Sequence, residues 1–400
     1  MSVNGEELKI HTPLDPEQDL IEVFKWFHMH PEVGFSEVKT TAKIKELLSL
    51  MPGVEMLDLG LETGALARVV GDPSGPVVAF RSDIDALPIT EDSGVEYTSL
   101  HPGCMHACGH DFHLTNLLGA ARILGEIASQ NDASSRIPGT VVFVFQPSEE
   151  INNGAGKIVA TGKLQELGVQ QMFGLHVDGS VDSGLVAVKP GPLQAAVNYF
   201  TITVRGRGGH AAYPHRTLDP IPAAARMVIS LQEIASRAVK PFEPVVVTVG
   251  RFTAGTTHNV IPDTAELEGT VRTFNEEVRA LVYEKMLQKC KALEAEGYTV
   301  DLYWRADCDA VINNPELIDM IRKVAQGLNL KVIDGEAVMG GEDFSEYSKI
   351  CPTAFFKVGV ASPAGGHTPR FRVNAESLPQ TAKLTSAILT EALRRLCKSA

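Results

Sequence analysis

The sequence predicts an α/β protein: a mixed, mostly parallel sheet with helices on both faces, plus an inserted α+β domain. Three observations carry that expectation. The run at residues 140–145 is continuous rather than alternating, as in strands buried on both faces, and short β-type runs stand at 66–70, 77–80 and 172–177. Helical patterns separate these runs, the arrangement of a parallel sheet. Between residues 192 and 307 the order changes to β-α-β-β-α-β, the split order of a small ferredoxin-like sandwich. Residues 1–191 and 308–400 then form one discontinuous domain, with 192–307 inserted into it.

Residues 16–27 read as the first helix, with Leu20, Ile21, Val23, Phe24 and Phe27 as its apolar positions. Asp15 is placed to cap it, and Pro16 suits the first helical position. The segment from His28 to Phe35 interrupts the pattern, and Ser36 and Glu37 open a second helix towards Leu50. The strands at 66–70 and 77–80 follow, bounded by Gly, Asp and Pro. Asp83 and Asp85 are expected just past the second, where ligands gather in open α/β sheets; a solvated turn is the plainer reading.

The densest chemistry is at residues 104–113, Cys-Met-His-Ala-Cys-Gly-His-Asp-Phe-His. Two cysteines, three histidines and an aspartate suit borderline-soft divalent metals such as zinc. A tight turn at Gly109 would aim Cys108 and His110 at one ion. Leu114, Leu117, Leu118, Ala121, Leu124 and Ile127 then recur at helical spacing, so the cluster opens a helix. Two CxxC knuckles are missing, which argues against a structural zinc ribbon.

The strand at 140–145 ends in Gln-Pro-Ser-Glu149-Glu150. Adjacent carboxylates can divide labour, one binding metal and one moving protons. As neighbours leaving a strand, they are expected to point to opposite sides. The run at 172–177 carries His176 near its end. The insert carries Gly-Gly-His210-Ala-Ala-Tyr-Pro after its first strand, and an apolar strand at 245–250 suited to a sheet edge. Past residue 307 the α/β style returns, with a helix at 315–328, a loop at 340–347, a strand at 355–360, a loop carrying His367 and a last helix at 379–396.

Composition narrows the function. Hydrophobic content of 44% and charged content of 21% are those of a globular protein. A net charge of −13 argues against nucleic-acid binding. The start of the chain is polar and no apolar run spans a bilayer, so neither leader nor membrane partner is expected. The six cysteines form no disulfide-scaffold pattern, which predicts reduced thiols in a cytoplasmic protein.

Taken in order, eight motifs resemble one family: Asp-Ile-Asp-Ala-Leu-Pro, Met-His-Ala-Cys-Gly-His-Asp, Gln-Pro-Ser-Glu-Glu, Gly-Leu-His-Val, Gly-Gly-His-Ala-Ala-Tyr-Pro-His, Asn-Val-Ile-Pro, Gly-Gly-Glu-Asp-Phe and His-Thr-Pro. They are similar to the N-acyl-amino-acid amidohydrolases, which include hippurate and auxin-conjugate hydrolases. That group is a branch of the metallopeptidase superfamily that also holds aminoacylase and glutamate carboxypeptidase. The likeness covers nearly the whole chain. It implies two divalent ions, zinc or manganese with cobalt also suited, held by Cys108, His110, Glu150, His176 and His367. It implies Glu149 as general base, His210 as a substrate contact from a lid domain, and Asn259 near the acyl-amino-acid. Asp85 is expected beside the substrate. The partners implied are a small N-acyl amino acid or related amide and a second copy of the chain, in a homodimer formed through the lid. Hydrolytic deamination and dipeptide cleavage use the same machinery and stay open, as does an inactive binding protein. Departures from the family pattern occur at residues 151–154, His258, 305–310, Arg370 and Arg372. None removes an expected ligand, but they bear on which substrate is taken.

Overall fold

The structure is a computed structural model and describes residues 16–130, 137–151 and 153–399. Asp15, the expected helix cap, and most of the polar start lie outside the described residues.

The chain divides into two compact units. The first comprises the chain up to Val188, Pro315–Gly335 and Ile350 onward; the second comprises Lys189–Asn314 and Glu336–Lys349. Residues 308–314 stay with the second unit because Thr299–Cys308 pairs with Ala196–Arg205, and Val311–Asn313 then pairs with Gly191–Gln194. Residues 336–349, expected with the first domain, also cluster with the second unit. The Ala195 amide donates to the Gly340 carbonyl at 2.9 Å, and Lys349 lies 3.4 Å from Asp309. Such contacts are non-local and leave no local pattern.

The first unit is built on an eight-stranded sheet. Across it run Val54–Leu57, Ala65–Val70, Thr140–Gln146, Val77–Asp83, Val169–Asp178, Thr353–Gly359, Val186–Val188 and Val332–Asp334. Four of its seven pairings are parallel, including the three that join the central strands. All seven residues of Thr140–Gln146 are buried. Successive side chains on a strand point to opposite faces, so both faces of the sheet are covered. Phe80 and Phe143 share this core with Leu117 and Leu118 of the His110–Ser129 helix and Leu389 of the Leu378–Ser399 helix. The three- and four-residue strands at Val54, Val186 and Val332 were not read from the sequence. They are too short to show a period and exist because a neighbour pairs with them.

One boundary corrects the expectation. The Val77–Asp83 strand runs three residues further than predicted, so Asp83 ends the strand rather than following it. Asp83 pairs in register with Gln146, which places the two strand ends side by side. The turns that leave these parallel strands share one edge of the sheet, and the chemistry collects there.

The second unit carries a four-stranded antiparallel sheet in the order Val245–Ala254, Thr264–Thr273, Ala196–Arg205, Thr299–Cys308. This is the expected ferredoxin-like arrangement. Helices Pro220–Glu233 and Glu276–Glu294 bury Met227, Leu231, Val282 and Met286 against Phe200, Ile202, Val204 and Leu267. Asp219 and Asn275 cap the two helices by accepting the amides of Ile221 and Glu277. Val245–Ala254 is an edge strand of this sheet. Among the described residues, no helix is long and apolar enough to cross a membrane.

Candidate metal centre

Local backbone sets the first donors. Gly109 has φ 89°, a left-handed conformation that turns the chain into the His110–Ser129 helix. Cys108 and His110 stand on either side of that turn. His176 lies near the end of the Val169–Asp178 strand, and His367 sits on a loop with φ 60°. The structure gathers these residues with Glu149 and Glu150 inside the first unit.

Cys108 is the centre of the cluster. Its Sγ lies 3.3 Å from His176 Nε2 and 3.3 Å from His367 Nε2. His367 Nε2 is 3.4 Å from Glu150 Oε2, and His110 Nε2 is 3.7 Å from Glu150 Oε1. Two groups with metal-ligand spacing therefore share the thiol: Cys108, His110 and His176, and Cys108, Glu150 and His367. Cys104 and His106 join none of the groups found among the described residues.

The ring nitrogens of the histidines differ in which of them already have a partner. His176 Nδ1 faces the Val177 carbonyl at 2.7 Å and His110 Nδ1 faces Asp85 Oδ1 at 3.2 Å. Each Nδ1 is thus the protonated nitrogen, which leaves Nε2 with a lone pair for a cation. His113 is different. Its Nδ1 faces Asp83 Oδ1 at 2.6 Å and its Nε2 accepts the Val177 amide at 2.8 Å. Both nitrogens are engaged, so His113 orients the strand end that carries His176.

Asp85 requires a correction. It is buried, its Oδ1 meets His110, and its Oδ2 accepts the Glu150 amide at 3.0 Å. With both oxygens engaged it braces the cluster rather than reaching for a substrate. Asp83 also carries a buried charge: Arg81 donates to its Oδ2 at 2.8 Å and to Gln146 Oε1 at 2.7 Å.

The glutamate pair departs from its expectation too. Glu149 Oε2 and Glu150 Oε1 both approach His110 Nε2, at 3.9 and 3.7 Å. Strand alternation does not govern them, because the strand ends at Gln146 and Ser148 adopts φ 58°. The turn carries both carboxylates to one side.

The donor set fits divalent metal. His110 Nε2 and Glu150 Oε1 are buried without a hydrogen-bond partner, and buried polar atoms ordinarily have one. Burial and Glu150 push the Cys108 thiol up. Burial also pushes the Glu150 carboxyl up and, with His113 beside it, drives His176 well below the ordinary histidine range. Burial opposes charge on His110 too, but Asp83 and Asp85 hold it well above that range. Cations placed among these donors favour the thiolate, the carboxylate and neutral rings. Sulfur and imidazole are softer donors than the oxygen ligands that magnesium and calcium take.

The family model described as Peptidase family M20/M25/M40 matches residues 79–391. The chain belongs to this family. An M20 relative from Bacillus subtilis (strain 168), an N-acetyl-L-cysteine deacetylase, is 38% identical over 96% of this chain and 89% of its own. The IAA-amino acid hydrolase ILR1-like 2 of Arabidopsis thaliana is 35% identical over 93% and 86%. A solved structure, the Bacillus subtilis YXEP protein, a dinuclear metal binding peptidase from the M20 family, superposes with a TM-score of 0.84 at 35% identity, covering 95% of this chain and 99% of that one. The M20 fold and a dinuclear metal site therefore agree with the donor geometry.

His210 and Asn259 belong to the second unit. The strand pair Gly209–His210 and Val260–Ile261 sets them side by side, with the Ala211 amide donating to the Asn259 carbonyl at 3.1 Å. His210 Nδ1 accepts the Ala212 amide at 3.1 Å, so its Nε2 is the protonated nitrogen and points a donor outward. His210 and Asn259 are both exposed.

Proposed function

We propose that this chain hydrolyses the amide bond of an N-acyl amino acid, releasing a carboxylate and a free amino acid. The observation that carries the reading is the cluster in which Cys108 is common to two ligand groups, one of them reaching the exposed His367, while two glutamates share one turn. The chain is a metal-dependent amidohydrolase. Cys108, His110, Glu150, His176 and His367 hold two divalent ions, zinc first and manganese or cobalt next. When bound, the ions supply Lewis acidity for an unreactive amide and a weak nucleophile. Glu149 accepts the proton of the attacking water and delivers it to the leaving nitrogen. His210 donates from Nε2 to the oxygen that gains charge, a role its Ala212 contact prepares. Asn259 lies beside it and orients the amino-acid part.

The domain roles belong to the same proposal. The first unit supplies catalysis; the second, Lys189–Asn314 with Glu336–Lys349 rather than residues 192–307 alone, acts as lid and dimer contact, through the edge strand Val245–Ala254. All six cysteines are free, which suits a cytoplasmic location.

The test is a panel of N-acetyl, N-benzoyl and N-indoleacetyl amino acids, read by mass spectrometry with zinc, manganese and cobalt in turn. Carboxylate plus free amino acid is the expected product pair. Ammonia release would move the reaction to deamination, and turnover of dipeptides alone would make the protein a peptidase.

A further inference from the structure

The mechanism proposed above uses Glu149 but does not explain what holds it. Glu149 follows Ser148, whose φ of 58° is unfavourable for a residue with a side chain. A contact from a distant part of the chain holds that turn. Ser148 N–H donates to Glu37 Oε1 at 2.8 Å across 111 residues of sequence. Glu37 is fully buried and stands at the N-cap of the Val38–Ser49 helix, yet its side chain makes no capping bond there. Glutamate is not among the residues that ordinarily cap their own helix. This one is turned towards the loop of the two glutamates.

The neighbourhood is tight. A Cβ on Gly34 would meet Ser148 Oγ at 2.6 Å, so the chain just before Glu37 presses on the same residue. The Ser148 carbonyl accepts the Gly154 amide at 3.1 Å. On the other side of Glu149, the Glu150 amide donates to Asp85 Oδ2 at 3.0 Å. The residues before and after Glu149 are thus each pinned by a buried carboxylate, and the two carboxylates come from different segments of the chain. Asp85 also holds His110, so it belongs to the metal cluster. The Glu37 bond to Ser148 goes to backbone, and the same carboxyl also meets the Thr63 side chain.

We infer that Glu37 is a positioning residue for the general base, fixing the Ser148 backbone so that Glu149 meets the attacking water. The inference rests on the reading of Glu149 as that base. The required chemistry is an acceptor oxygen at the reach of a glutamate. Glutamine offers the same acceptor at the same reach. Methionine fills a similar volume without one, and aspartate withdraws it by one methylene.

The experiment uses the full-length, metal-loaded protein and the best substrate of the panel above. Glu37→Met, Glu37→Asp and Glu37→Gln are made alone, and Glu37→Met is also made in a Glu149→Gln background. Turnover, KM, bound metal and cooperative melting are measured for each. Glu37→Met and Glu37→Asp are expected to lower kcat by about 10- to 100-fold, the scale of a small misplacement of a reacting group. KM and bound metal stay within about twofold. Glu37→Gln recovers at least about tenfold of the lost turnover, and in the Glu149→Gln background Glu37→Met costs less than about threefold more, because no base remains to be positioned.

Full turnover in a cooperatively melting Glu37→Met or Glu37→Asp protein would overturn the inference. So would a parallel loss of metal, a Gln variant as slow as Met, or a full additional loss in the double variant. If Glu37→Met does not melt cooperatively, the Asp and Gln pair decides the matter by the same criteria. The two readings fail separately. Wild-type turnover in Glu149→Gln removes the base assignment and this inference with it. A crippled Glu149→Gln beside an unaffected Glu37→Asp removes the positioning role alone.

Discussion

His110 with its braces in the first unit, and His210 with Asn259 in the second, are held in opposite ways. In the first, His110, Asp83 and Asp85 are buried at 0–1% exposure, and Arg81, His113, Asp85 and the Val177 backbone fix the orientation of what surrounds the metal centre. In the second, His210 and Asn259 lie exposed on a two-residue strand pair, and the His210 ring is held by one amide. The difference fits the work proposed for each region. Metal ligands must be oriented before the ion arrives, because desolvated donors in the wrong place cost binding energy. A donor that meets substrate must be reachable by it. Rigidity therefore collects where the strands end, and accessibility where a short turn leaves a small sheet.

This contrast makes substitutions behave differently in the two regions. In the metal cluster, Cys108→Ser should remove a donor common to both ligand groups. Bound metal and activity should fall together, by more than the roughly 10–100-fold typical of residues that merely orient a ligand. Elemental analysis of the purified variant checks this; full metal content and full activity would show that Cys108 is no ligand.

Within the glutamate pair the expected effects separate. Glu149→Gln should lose about 10²–10⁴ in kcat with metal retained, the size of a general-base contribution. Glu150→Gln should lose metal. The reverse pattern would exchange the two roles.

His210→Ala should cost about 10²-fold in kcat, as for loss of one oxyanion donor. Bound metal should stay at wild-type content, since no ligand changes. Metal loss in this variant would mean that the exposed pair belongs to the metal centre after all.

The smallest effect concerns pH. His28 is buried; burial opposes its charge, but Asp111 Oδ2 at 2.6 Å and Glu91 Oε1 at 3.1 Å raise it from 6.5 to about 9. A group raised on folding stabilises the protein fully below its unfolded value and loses that contribution as pH rises through the folded one. Stability should therefore decline between about pH 6.5 and 9, by at most about 3 kcal/mol from this group. Urea midpoints across that range should fall for the parent protein, and His28→Gln should remove most of the slope. An unchanged slope in the variant would assign the pH dependence elsewhere.

Much of this architecture could be read locally. A continuous apolar run marked the Thr140–Gln146 strand because both of its faces are buried, and the spacing from Leu114 to Leu124 marked the helix after the metal motif. The order β-α-β-β-α-β sufficed for the second sheet, since each of its elements is long enough to show a period. Residue chemistry alone singled out Cys108, His110, Glu149, Glu150 and His176 as polar groups at the ends or starts of apolar elements. It could not separate His110 from His113, which differ only in what their nitrogens meet across 25 to 64 residues of chain.

The remaining features were decided by tertiary contact. Asp83 joined its strand through pairing with Gln146, Asp85 became a brace by meeting His110 and the Glu150 amide, and residues 336–349 went to the second unit. Glu37 looked like the start of a helix, and its bond to Ser148 exists because two distant turns pack together. The sequence by itself determined which residue types stand at the ends of which elements, because hydrophobic period and turn chemistry are local. Only the folded chain decided which of those polar atoms already have a partner and which are left free for a ligand, because that depends on the partner each polar atom finds once it is taken out of water.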